Sequence, residues 1–190
     1  MRRGDGAMNS LPQRLATALD QLDSGDLEVT VGAVDELAVV VNGIVDRIID
    51  DFEKPGAARY MIFERLSRFG TSVVDPLEQL LNRTGDPEVR TLTAAALLAN
   101  GSQAGLQDLL RSVRADDPLV CIAVRVLTMA GIVRVAELIE VALLECDLKE
   151  TDILACLVDG LRNLGRPVPG RVGDRLQSVE PSWLRNSLLS

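Results

Sequence analysis

The sequence predicts an all-α protein: about four helix pairs stacked side by side, with further helices capping the N- and C-terminal ends. Three observations predict it. Glycines recur at Gly70, Gly101 and Gly131, spaced by 31 and 30 residues, with a looser fourth at Gly165, 34 residues further on. A second marker runs in phase, because Asp86-Pro87 and Asp117-Pro118 lie 31 residues apart and each opens an apolar stretch that ends at one of those glycines. Between the markers, apolar residues fall three and four apart, the period of a buried helix face. Aspartate accepts from the free N–H groups of a first turn, and proline fits that turn because its missing N–H would go unpaired there. Glycine just past the last turn takes the left-handed conformation that ends a helix. The interval therefore counts helix pairs.

Taken in order, residues 1–10 hold Arg2, Arg3, Gly4, Asp5 and Gly6 with no apolar run behind them and are expected to be disordered, Met8 being an equally good start. Leu11 to Leu22 reads as one amphipathic helix ended by Asp23-Ser24-Gly25-Asp26. The stretch Val29 to Phe52 is rich in β-branched residues, yet Ile44, Ile48 and Asp51 follow a 3.6-residue period better than alternation, and Asn42-Gly43 is a place where it could divide. Residues 11–55 are thus an N-terminal helical cap or a divergent repeat. Repeats fill 56–165: Ala57 to Phe69 with Val73 to Asn82, Glu88 to Asn100 with Gln103 to Val113, Leu119 to Ala130 with Val133 to Cys146, and a fourth pair from Thr151. Ala94-Ala95-Ala96 lets two helix axes approach closely, and Ile122, Val126 and Met129 form the expected inner line of the third pair. Arg166-Pro167-Val168-Pro169-Gly170 breaks the pattern, and residues 166–190 form a closing cap in which Val172, Leu176, Trp183 and Leu184 carry the apolar side.

Composition bounds the chemistry. Of 190 residues, 47% are hydrophobic and 25% charged, the balance of a globular chain long enough for a substantial core. Aromatic residues are only 3%, so that core is aliphatic. The chain has no histidine, which removes the commonest general base near neutral pH, His-containing metal sites and Ser-His or Cys-His nucleophile arrangements. A net charge of −8 and a pI near 4.6 oppose phosphate backbones and anionic membranes, so neither nucleic acid nor membrane is an expected partner. Cys121, Cys146 and Cys156 are an odd number in aliphatic surroundings, which fits reduced, buried thiols in a cytoplasmic protein; Cys146 and Cys156 lack the spacing of a zinc or redox motif. No catalytic, cofactor-binding or metal residue is assigned.

The acid excess is local. Residues 1–53 carry 11 acidic and 4 basic side chains, while residues 54–190 are close to neutral. Asp20, Asp23, Asp35, Glu36, Asp46 and Asp50 are therefore candidates for an acidic surface that meets a basic partner; an ordinary solvated helix face is the alternative. Asp46 and Asp50 stand one helical turn apart, but neither a calcium-loop pattern nor histidine accompanies them. Arg59 and Arg65, near Tyr60, are candidates for contact with an acidic or phosphorylated partner, and Trp183 is read either as the plug of the C-terminal cap or as an interface anchor.

The unit Gly85-Asp86-Pro87-Glu88-Val89-Arg90, followed by Ala94, Ala95, Leu98 and Gly101, resembles a HEAT repeat of the short type found in bacterial HEAT-repeat and phycobilin-lyase-like proteins. Asp117-Pro118-Leu119-Val120 with Ala123, Leu127 and Gly131 matches again, except that Cys121 stands where Arg90 does. Over residues 56–165 the resemblance implies a right-handed α–α superhelix, and a ladder in which Arg90 pairs with an aspartate such as Asp86 or Asp117. The function it suggests is non-enzymatic: a bacterial adaptor or assembly factor that binds another protein on a broad curved face. Alternatives are an immunity protein that neutralises a basic toxin, a chromophore-lyase-like or carboxylate-using enzyme, and a self-associating structural protein, favoured if residues 11–53 expose an apolar stripe.

Overall fold

The architecture is that of a computed structural model whose described residues are 11–189; the expected disordered segment 1–10 lies outside them. The described residues are helical with no strand. They divide into two compact units, Met1–Ile62 and Phe63–Ser190.

In the first unit, α1 (Leu11–Leu22) and α2 (Leu27–Glu53) pack as a helical hairpin. Asp26 starts α2 by accepting from the N–H groups of Glu28 (2.9 Å) and Val29 (3.4 Å). The 27-residue helix runs unbroken through Asn42-Gly43. Gly43 continues it because α1 lies alongside: a Cβ there would sit 3.5 Å from Leu11 Cδ2, ordinary contact with the neighbouring helix. Leu11 beside Gly43, and Arg14 beside Glu36 (2.5 Å), show the two helices antiparallel. Next comes α3 (Ala57–Leu66), which contains the boundary between the units.

The second unit continues through a 3₁₀ stretch, Ser67–Val73, kinked at Gly70, into α4 (Val74–Arg83), α5 (Pro87–Ala99), α6 (Leu106–Arg111), α7 (Val120–Met129), α8 (Val135–Glu145), α9 (Thr151–Asn163), α10 (Gly170–Leu176) and α11 (Ser182–Leu189). The expected punctuation holds at atomic detail. Asp86 caps α5, accepting from Glu88 N–H (2.9 Å) and Val89 N–H (3.3 Å), with Pro87 in the first turn. Helices α5, α7 and α9 end identically. The N–H of the residue after each glycine reaches back five residues (Ser102 to Leu97, 2.9 Å; Ile132 to Leu127, 3.0 Å; Arg166 to Leu161, 2.9 Å), and the glycine's own N–H reaches back three. That double cap requires positive φ, which Gly101 (87°), Gly131 (69°) and Gly165 (67°) supply.

Each of these helices packs both on its sequence neighbour and on the corresponding helix of the next interval: α5 on α6 and α7, α7 on α8 and α9, α8 on α10, and α9 on α11. The core between them is aliphatic, from Leu77, Leu80, Leu92 and Leu97 through Leu127, Ile139 and Leu143 to Leu154 and Leu157. Two glycines set the closest approaches. A Cβ at Gly105 would lie 2.4 Å from Ala94 Cβ, and one at Gly160 would lie 2.4 Å from Val124 Cγ1.

Several details differ from the sequence reading. The inner line of α7 is Val120, Ala123, Val124 and Leu127, and Met129 is 79% exposed, because the last turn projects past the neighbouring helices. Arg90 pairs with Asp108 on α6 (Nε to Oδ1, 3.0 Å) and donates to the carbonyls of Leu81 (3.0 Å) and Thr84 (3.3 Å), where a partner at Asp86 or Asp117 was expected. The two aspartates are held at helix starts, Asp117 accepting from Leu119 N–H at 2.8 Å. Trp183 is 69% exposed; the C-terminal helices are closed instead by Val172, Leu176, Val179 and Leu188.

Candidate interaction surface

The features that the sequence singled out for binding gather on α2. Its apolar residues Leu27, Val31, Val34, Ala38, Val41, Val45, Ile48 and Phe52 repeat at alternating intervals of four and three, which places them on one seam of the helix. The antiparallel α1 covers the other side, where Ala33 and Val40 are buried and Gly43 meets Leu11. The seam is consequently divided along its length. Val45 and Phe52 are buried, whereas Leu27 (80%), Val31 (54%), Val34 (53%) and Val41 (47%) lie open, and Ala38 between them is exposed. The open part spans about 21 Å at 1.5 Å per residue.

One edge of this seam is acidic. At 100° per residue, Glu28, Asp35 and Asp46 project within about 20° of one another, roughly a quarter turn from the seam, and all three are exposed. Asp50 is exposed close to that line and, with Asp46, Leu11, Gly43, Ile44 and Ile48, lines a pocket of about 490 Å³ at the open end of the hairpin. Asp20 and Asp23 are exposed at the opposite end, on α1 and in the connection.

The remaining candidates go elsewhere. Glu36 accepts a hydrogen bond from Arg14, which holds its carboxyl below the ordinary glutamate range, and the pair lines a second hollow between α1 and α2 with Gln13, Thr17, Val29 and Gly32. Arg59 is 2% exposed, and its guanidinium donates to the carbonyls of Glu53 (2.9 Å) and Lys54 (3.3 Å), so it closes the end of α2 and is not presented to solvent. Arg65 is exposed, 4.0 Å from Glu64. Trp183 stands on the second unit, on the surface of α11.

The seam's openness escaped sequence reasoning, although its four–three spacing is visible there. Which side of an amphipathic helix is covered depends on where the neighbouring helix lies. Also missed were Cys121 and Cys156, on α7 and α9, which are half-buried where buried thiols were expected; Cys146 alone is buried, at 1%. Among the described residues no cluster of three or more metal-ligating side chains occurs, and no helix is long and apolar enough to cross a membrane. No family model matches the sequence, and no curated protein or solved structure matches it either.

Proposed function

We propose that the protein is a non-enzymatic protein-binding module whose first unit takes up an amphipathic helix of a partner along the open seam of α2. The observation that carries this reading is the row Leu27, Val31, Val34, Ala38 and Val41, exposed in knobs-into-holes spacing beside the acidic line of Glu28, Asp35 and Asp46. Apolar side chains at this spacing are complementary to another helix, and the acidic edge selects one whose apolar stripe is flanked by lysine or arginine. The same charge disfavours a second copy of this chain, which would bring acid against acid.

The second unit is read as HEAT-like repeats forming a superhelical scaffold. Support comes from the shared double caps after α5, α7 and α9, their interval of about 31 residues, and the packing of each helix on its counterpart in the next interval. An adaptor or assembly factor is the broad role. Neutralisation of a basic toxin is a narrower version that rests on the acid excess alone.

The test is recovery of a partner from native extract by purified wild type, by Val31→Glu/Val34→Glu and by Asp35→Asn/Asp46→Asn, followed by reconstitution with the identified protein. Loss of one stoichiometric partner with the first variant, and weaker, less salt-sensitive binding with the second, is the expected result. Undiminished binding by both variants overturns the reading, and a concentration-dependent dimer abolished by the first variant transfers the seam to self-association.

A further inference from the structure

We propose that Cys121 and Cys156 form a thiol–disulfide exchange site, in which Cys121 attacks a small-molecule disulfide and Cys156 resolves the product into a bond between α7 and α9. The site lies within the second unit and does not depend on the reading of α2.

Both thiols line one pocket of about 480 Å³, together with Arg125, Asp159 and Asn163. They come from different helices, and they are paired by register. Cys121 and Cys156 share a hydrogen bond, and about one turn further along both helices Val124 and Thr128 face Gly160. A Cβ at Gly160 would sit 2.4 Å from Val124 Cγ1. The two helices are therefore pressed together at this level by the absence of a side chain, the kind of approach that a disulfide between Cα atoms roughly 4.4–6.8 Å apart requires. Both cysteines are half-buried and face the pocket, unlike Cys146.

The pair is asymmetric. Cys121 is the second residue of α7, where unpaired N–H groups favour a thiolate. The hydrogen bond from Cys156 holds Cys121 below the ordinary thiol range, against burial and the carboxylate of Asp152. The same hydrogen bond, with burial and the charge of Asp159, pushes Cys156 up, while Arg125 works the other way. Cys121 is accordingly the attacking thiol and Cys156 the resolving one. Arg125, one turn after Cys121 and exposed at the pocket, is a cation for a carboxylate on the incoming disulfide. With no third ligand beside them among the described residues, two sulfurs do not make a metal centre.

The exchange balances as follows. Cys121 Sγ loses its proton to solvent and attacks one sulfur of R–S–S–R; the S–S bond breaks, and R–S⁻ leaves and takes up a proton. Cys156 Sγ then loses its proton and attacks Cys121 Sγ, releasing a second R–S⁻ that is protonated in turn. Two protein thiols become one disulfide, and one small disulfide is reduced to two thiols.

Reduced protein is incubated with oxidised glutathione, followed by intact mass and alkylation mapping, with circular dichroism as the check on folding. In the wild type, Cys121 and Cys156 are lost together, Cys146 stays free and no glutathione is retained. Cys156→Ser accumulates one glutathionyl group at Cys121, and Cys121→Ser reacts about tenfold more slowly or less. A stable mixed disulfide in the wild type, or an undiminished rate in Cys121→Ser, overturns the proposal. Should either variant fail to fold, wild type is treated with a trivalent arsenical, which must bridge two thiols: one equivalent protecting Cys121 and Cys156 from alkylation supports the pair, and protection of neither refutes it.

Discussion

Replacing Gly160 with alanine sets two effects against each other. Gly160 is an interior residue of α9, so alanine gains about 1 kcal/mol of helix propensity. Its Cβ, however, would lie 2.4 Å from Val124 Cγ1 and 3.1 Å from Ile139 Cδ1, against about 3.5–4.0 Å for relaxed carbon contact. Neither neighbour has room to give: Val124 is 1% exposed and Ile139 is 0% exposed, and a valine in a helix has essentially one χ1 rotamer. Overpacking of this kind costs about 1–3 kcal/mol, here at the upper end because both neighbours are enclosed, so the net effect is a loss of about 1–2 kcal/mol. Val124→Ala removes the clashing methyl and is destabilising by itself through the cavity it leaves. Together the two changes exchange one methyl for another across the α7–α9 contact. The double variant is then more stable than the sum of the singles by about 1–2 kcal/mol. Urea unfolding followed by far-ultraviolet circular dichroism measures this, since Trp183, already 69% exposed, is a weak fluorescence reporter of unfolding. A Gly160→Ala variant about 1 kcal/mol more stable than wild type, as propensity alone demands, or singles additive within about 0.5 kcal/mol, refutes the close-packing argument.

Further predictions follow the same logic. Gly131→Ala places a side chain at φ 69° and is expected to lower stability by about 1–2 kcal/mol, while Gly85→Ala, which has neither positive φ nor a neighbour within 4 Å, leaves the melting temperature nearly unchanged. Asp86→Ala takes the acceptor from the N–H groups of Glu88 and Val89 and costs about 1 kcal/mol in thermal or chemical unfolding; Asp86→Asn retains most of that. For Glu36, the folded carboxyl lies below its ordinary value because Arg14 donates to it, so its contribution is present above the unfolded pKa and disappears as pH falls through the lower folded one. Amide exchange in α1 is therefore expected to quicken as pH is lowered below about 4, beyond the intrinsic trend, and Glu36→Gln to abolish that added dependence.

Much of the fold is written in local chemistry. Aspartate before a first turn, proline within it and glycine after the last turn each act on backbone groups a few residues away, so Asp86, Pro87, Gly101, Gly131 and Gly165 were legible without any knowledge of neighbours, as was the unbroken 3.6-residue period of Leu11–Leu22. Asn42-Gly43 looked like a divider because glycine weakens an isolated helix. In the structure the contact with Leu11 keeps α2 continuous, and no local rule contains that contact.

What tertiary structure alone decided is the set of pairs and faces. Arg90 meets Asp108, 18 residues away, because α6 folds back beside the start of α5. Cys121 meets Cys156 because the corresponding turns of α7 and α9 come level, with Gly160 drawing the helices together. The valines of α2 have the same period whether they face a core or open solvent; the placement of α1 on the opposite side leaves Val31 and Val34 uncovered. Sequence fixes periodicity and caps through interactions within one or two turns, whereas the partner of a side chain depends on the relative placement of helices, which only the packed chain specifies.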